Sequence, residues 1–214
     1  MNFNGWPAEA LEFYKGLETD NSRAYWTAHE NLYETAVRAP MEALLAELPT
    51  DLGHRKTFRP YRDIRFSTDK SPYKTHIGAV IGPAYVQLSA AGLAAGGGIH
   101  RMASDQLLRY RQSVADDDAG PGLERVIADI KDHSVEIHGH EALKAVPRGY
   151  PADHPRATLL RYKGLSAWKE WPSAPWLATA EAKERILVFL DTIHPLSQWL
   201  ATYVGVSSAP AGGR

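Results

Sequence analysis

Apolar residues recur at three- and four-residue steps through the first fifty positions. Pro7 stands where a first-turn proline is tolerated, and Leu11, Tyr14 and Leu17 follow along one helical face. The polar run Asp20-Asn21-Ser22 then offers an N-cap to a second helix. Trp26, Tyr33, Val37, Met41, Leu44 and Leu48 form its apolar stripe, with polar Glu30 filling a gap, and Pro40 is expected to kink or divide it. From about residue 57 to 100 the period changes to two. A strand across 58–66 puts Phe58, Ile64 and Phe66 on one face and Arg59, Tyr61, Asp63 and Arg65 on the other. Turn residues follow in Ser67-Thr68-Asp69-Lys70-Ser71-Pro72. Short strands are then expected over 76–81, 84–89 and 93–99, the last two joined as a hairpin at Ala90-Ala91-Gly92. The triple glycine Gly96-Gly97-Gly98 marks a bulge or a close approach of another backbone or ligand.

Beyond His100 the pattern is mainly helical. Ser104 caps a helix carrying Leu107, Leu108, Arg111 and Val114; Gly120-Pro121-Gly122 punctuates; Leu123, Val126, Ile127 and Ile130 line another amphipathic stretch. Val135 and Ile137 suit a short strand, as do residues 159–162 after a loop framed by Pro147, Pro151 and Pro155. The last helix, about 180–203, carries Ile186, Phe189, Leu190, Ile193, Leu200 and Tyr203 on one side, bent or interrupted by Pro195. The small, Gly/Pro-rich stretch 206–214 reads as a disordered tail. No repeat or low-complexity linker divides the chain. The expectation is one α+β domain over 1–205, with a central, mainly antiparallel sheet covered by N- and C-terminal helices.

Composition narrows the class without naming a reaction. The 214 residues are 44% hydrophobic and 23% charged, ordinary for a folded protein. With no cysteine, thiolate metal sites, disulfides and cysteine nucleophiles are excluded. No apolar run reaches the roughly 18 residues of a membrane span, and the N-terminus lacks the pattern of a signal peptide, so no membrane partner and a cytoplasmic location are expected.

The net charge of −1 conceals an uneven distribution. Between Arg55 and His76 lie seven basic residues and two acidic ones, a local +5, so the rest of the chain carries −6. Interleaved with Phe58, Tyr61, Phe66 and Tyr73, these cations suit an anion site: guanidinium forks and ammonium charges for oxyanions, and aromatic faces for a ring. Arg59, Arg62 and Arg65 are expected to clamp the anion, with Lys70 and Lys74 assisting. Ser67 and its neighbours form a turn able to aim amide donors at a phosphate. Tyr61 and Tyr73 stack or donate, and Arg148 joins from a distant loop. Asp63 or Asp69 orients the cations or acts as acid–base partner of His76 or His100. A nucleic-acid-binding surface is the second reading, since the same side chains suit a phosphodiester backbone. The third is an internal Arg/Asp network with a purely structural task.

The run Phe58-Arg59-Pro60-Tyr61-Arg62-Asp63-Ile64-Arg65-Phe66-Ser67-Thr68-Asp69-Lys70-Ser71-Pro72-Tyr73-Lys74-Thr75-His76 resembles the signature of domain of unknown function 2461, a family of bacterial and fungal proteins. Asn21-Ser22-Arg23-Ala24-Tyr25-Trp26, Gly96-Gly97-Gly98-Ile99-His100, Leu108-Arg109-Tyr110-Arg111, Pro147-Arg148-Gly149-Tyr150 and Asp153-His154-Pro155 agree in order, so the likeness spans about residues 10–203. It departs at Tyr25-Trp26, where the family often has the aromatics reversed, and at Pro60, where an aliphatic residue is common. The resemblance implies a whole-chain domain and a motif, but no activity, catalytic residue or cofactor.

Other chemistry finds less support. His138-Gly139-His140 shares a strand face but lacks a third metal ligand, and His154 suits a turn. There is no GxSxG elbow, GxGxxG loop or Walker A sequence. Trp168, Trp171 and Trp176, with Pro172 and Pro175, read as core or groove aromatics, with a ligand cleft as the alternative.

Overall fold

A computed structural model describes residues 2–65 and 67–208. The first helix, α1 (Ala8–Thr19), buries Leu11, Phe13, Tyr14 and Leu17. Ser22 accepts a hydrogen bond from the Tyr25 N–H (3.1 Å) and so caps α2 (Arg23–Leu32) as expected. A π-helical turn over Tyr33–Arg38 separates α2 from α3 (Ala39–Glu47). Pro40 lacks the N–H that would continue the ordinary ladder, and the wider turn lies immediately before it. The stripe from Trp26 to Leu48 is buried throughout.

Six antiparallel strands form one sheet in the order β1-β2-β3-β4-β6-β5: β1 (Arg55–Thr57), β2 (His76–Ile81), β3 (Ala84–Ser89), β4 (Gly92–Ile99), β5 (Glu136–His140) and β6 (Gly164–Pro172). The fold is α+β, as the periodicities imply. The chain divides into two compact units. One runs to Ala95 and resumes over Glu170–Phe189; the other comprises Gly96–Lys169 and the described residues from Leu190 onward.

In the first unit Ile81 of β2 pairs with Ala84 of β3 and His76 with Ser89, while β1 forms a three-residue edge. Arg55 donates to the carbonyls of Leu45 (2.5 Å) and Leu48 (2.8 Å), tying β1 to the end of α3. One of the seven clustered cations is therefore used by the fold.

The second unit contains α4 (Ser104–Ala115), α5 (Ala119–Asp132) and α6 (Ala157–Leu160), with β5 antiparallel to β6. A Cβ at Gly96 would meet the Trp168 ring at 2.5 Å, and Gly98, at φ +125°, would meet the Leu165 carbonyl at 2.5 Å. The triple glycine thus marks the close backbone approach that its sequence suggested. The long α7 (Glu181–Tyr203) gives Ile186 and Phe189 to the first unit's core and Ile193, Leu196, Trp199 and Leu200 to the second's.

Several local expectations change. Of the strand expected across 58–66, none forms among the described residues 58–65: after β1 the chain is irregular, so Arg59, Tyr61, Asp63 and Arg65 do not share a strand face. Pro60 has no N–H to give a ladder, and Tyr61 makes only an isolated bridge to Tyr73. Phe66 lies outside the described residues. Residues 157–160 are helical where 159–162 had read as a strand, while β6 had no sequence counterpart. Leu108 is exposed, and Tyr110 and Val114 supply the buried face of α4. Gly120-Pro121-Gly122 falls in the first turn of α5, where proline's missing N–H costs nothing, and α7 continues through Pro195 without interruption. Of the predicted tail, Ser207 and Ser208 donate to Asp105; 209–214 lie outside the described residues.

Candidate functional site

The basic segment of the first unit is a closed loop. Arg62 N–H donates to the Pro72 carbonyl (2.9 Å), Lys74 N–H donates to the Pro60 carbonyl (2.8 Å), and the Tyr61–Tyr73 bridge lies between. Asn21, in the α1–α2 connection, anchors the returning arm. Its side chain accepts from the Tyr73 N–H (3.0 Å) and donates to the Tyr73 carbonyl (3.1 Å). Tyr73 is buried and stacks on Trp26 at 4.4 Å and 6° between planes, while Tyr61 lies 5.4 Å from it and remains exposed. The loop's return is thereby pinned to the α2 core.

Inside the loop the charges pair locally. Arg62 donates to Asp69, whose other oxygen accepts from the Ser71 N–H (2.9 Å) and hydroxyl (2.6 Å). Arg65 forms a fork with Asp63 at 2.9 and 2.7 Å. These bonds hold the Asp63 carboxyl down at about 2, through the Arg65 side chain first and its backbone N–H second. Arg62 and Ser71 hold Asp69 well below the usual carboxylate range. Both aspartates are therefore ionised near neutral pH and position cations; neither is a proton donor there. The turn's amide at Ser71 is aimed at Asp69, which occupies the place expected for a phosphate. Ser67 donates its N–H to the Ile64 carbonyl (3.3 Å), and Lys70 donates to the same carbonyl (3.0 Å), closing the turn on itself.

Beside this turn lies a cleft of about 420 Å³, bounded by Glu18 of α1, Asn21, Arg62, Asp69, Ser71 and the segment from Tyr73 to His76. Lys74 places its ammonium on the Arg59 carbonyl (3.0 Å), 5.3 Å above the Phe58 ring. Burial, then the Arg59 charge, lowers its pKa. His76 opens β2; burial, then Lys74, lowers its pKa also, favouring the neutral ring. Two weakly hydrated nitrogen groups thus share a cleft with an oriented guanidinium.

The sequence candidates consequently divide. Arg62, Asp69, Tyr73, Lys74 and His76 line the cleft; Arg59 borders it through its carbonyl and charge. Tyr61, Asp63, Arg65, Ser67 and Lys70 do not line it, and no hydrogen bond among the described residues joins Asp63 or Asp69 to a histidine. His100 and Arg148 belong to the second unit. His100 packs against His140 (4.0 Å), and Arg148 is exposed on its loop. Sequence reasoning missed Glu18 and Asn21. Asn21 reads from the sequence as part of a cap and of a family segment but not as a site residue, and an acidic residue on an exposed helix face carries no signal of its own.

The histidine pair behaves as a surface feature. His138 bonds Glu136 (2.8 Å) and His140 bonds the Ser166 hydroxyl (2.7 Å). Among the described residues no group of three or more His, Asp or Glu side chains could hold a metal ion. Among the described residues no helix is long and apolar enough to cross a membrane. Of the tryptophans expected in a core or groove, Trp171 borders, with Pro172, a second hollow of about 300 Å³ in the first unit, whereas Trp176 lies under Arg185 at 4.4 Å.

Comparison with curated proteins and with solved structures returned no match. A family model, described as "Conserved hypothetical protein (DUF2461)", matches residues 9–199, which include the loop, its Asn21 anchor and every residue lining the cleft; the chain belongs to that family.

Proposed function

We propose that the cleft beside the Arg62–Asp69 turn binds a small molecule bearing a phosphate or carboxylate. The observation that carries this reading is the convergence of Arg62, Lys74 and His76 on one cleft of about 420 Å³, within the size range of small-ligand sites. Asp69 holds Arg62 in place while leaving part of its fork for a second oxyanion. Lys74 spends one N–H on a carbonyl and retains two donors. His76 gains a proton and a partner together when an anion arrives, so binding takes up protons and strengthens as pH falls toward 6. Substrate turnover is not part of the reading.

The test is thermal unfolding in increasing inorganic phosphate, set against sodium chloride of equal ionic strength. The parent should gain stability with phosphate, by ~2.7 kcal/mol at a hundredfold excess over Kd. Lys74→Met and Arg62→Ala should abolish most of that gain. An equal response in chloride, or in both variants, would remove the reading.

The nucleic-acid reading draws on exposed Tyr61 and Phe58 beside Arg59. It predicts an affinity for single strands that falls log-linearly with salt and weakens in Tyr61→Ala.

A further inference from the structure

Most polar groups around the cleft are already committed. Both ends of the Asn21 amide are used by the Tyr73 backbone. Asp69 accepts from Arg62 and from the Ser71 N–H and hydroxyl. What remains unengaged has a definite pattern. The cationic part of the lining offers two Lys74 donors, the Arg62 donors that Asp69 does not take, and the His76 ring, which has no hydrogen-bond partner among the described residues. To the same lining α1 adds Glu18. It is exposed, makes no ion pair or hydrogen bond among the described residues, and is an acid contributed by a different element from the cations.

A site for a bare anion gains nothing from such a carboxylate in its lining, which repels the ligand. A ligand with an ammonium group turns that repulsion into an attraction while its anionic end still meets Lys74, Arg62 and His76. We infer that the cleft selects small zwitterions: an amine on Glu18 and a phosphate or carboxylate on Lys74 and His76. This rests on the anion reading above and names its ligand class.

Two probes differing by one ammonium separate the ideas: 2-aminoethyl phosphate and ethyl phosphate, titrated calorimetrically into the full chain at pH 7.5 and low salt. The parent should bind 2-aminoethyl phosphate roughly three- to fivefold more tightly, the scale of one exposed ion pair. Glu18→Gln should erase that preference with little change for ethyl phosphate, and Glu18→Lys should reverse it. Lys74→Met should weaken both probes. Because Glu18 is exposed, the unfolding midpoint of each Glu18 variant should match the parent's. Equal affinities in the parent, or a preference that survives Glu18→Gln, overturn the zwitterion assignment and leave the anion reading standing. If neither probe binds, both fall.

Discussion

Asn21 illustrates how a polar side chain can build a site without belonging to its chemistry. Its amide replaces a strand partner for Tyr73, supplying one acceptor and one donor to backbone groups that would otherwise be buried without either. Asn21→Ala should destabilise the protein by about 1–3 kcal/mol in urea unfolding. Asn21→Asp keeps the acceptor and loses the donor, so it should fall between. A loss below about 0.5 kcal/mol for Asn21→Ala would mean that water replaces the amide and that the loop is not anchored there. Trp26 holds the same arm by a different means. Its ring stacks on Tyr73, but the buried indole N–H has no acceptor among the described residues, so its contribution is packing alone.

At the scale of the element, Arg156 does for α4 what a C-cap does elsewhere. It is 7% exposed, and its guanidinium donates to the carbonyls of Val114 (2.6 Å), Ala115 and Asp116, three of the last acceptors of that helix. Glu124, 3.7 Å away, balances the buried charge. Arg156→Met should therefore cost about 1–3 kcal/mol, since it strips the cap from the Val114 and Ala115 carbonyls. The same contact explains Gly120 inside α5. A Cβ there would lie 2.4 Å from Arg156 Nε and 2.5 Å from the Val114 carbonyl oxygen, so Gly120→Ala should destabilise the helix despite alanine's better propensity, and in an Arg156→Met background only the share owed to the guanidinium should be relieved. Denaturation of the two single variants and the double variant measures the coupling; strict additivity would assign the clash to the Val114 carbonyl and not to Arg156.

These elements also show what the sequence can reveal. The α2–α3 stripe, the Ser22 cap and the strands β2, β3 and β4 were legible because each is written in local periodicity or in a capping residue. The 58–66 segment alternates as a strand should, yet alternation specifies a strand only where a neighbour pairs with it along its length, and here the pairing stops at the single Tyr61–Tyr73 bridge. The charges of Lys169 and Glu170 hid β6, whose place in the sheet is set by pairing with residues far away in sequence. Of the candidate site, its location and cations were legible. The pairing of Arg62 with Asp69 and of Arg65 with Asp63 was not, since neither spacing fixes which carboxylate meets which guanidinium.

For the molecule as a whole, the positive segment within an acidic remainder is partly neutralised by its own aspartates, which pair with Arg62 and Arg65, and the surplus is carried by Arg55, Lys56, Arg59, Lys70 and Lys74. The acid limb of stability should show this. Asp63 has its pKa lowered from 3.8 to about 2 on folding, so its contribution is present above the ordinary value and is lost as pH falls through about 2. Asp63→Asn should flatten stability between those values; because the pair is exposed, the effect should be small and should fade in about 0.5 M salt. His76 acts in the opposite part of the scale. Its folded pKa lies below the ordinary 6.5, so the native state binds fewer protons and loses stability as pH drops below that value, a slope that His76→Gln should reduce.

The same ring gives the most direct test of the central claim. Imidazole resonances recorded through a pH titration, assigned by their absence in His76→Gln, report the His76 pKa with and without inorganic phosphate. An anion seated between Lys74 and His76 must favour the charged ring, so the account predicts a His76 pKa below 6.5 alone and a saturable rise on adding phosphate, while His140, in the second unit and bonded to Ser166, stays unmoved. A His76 pKa unaffected by phosphate, or one that rises no more than that of His140, would contradict it.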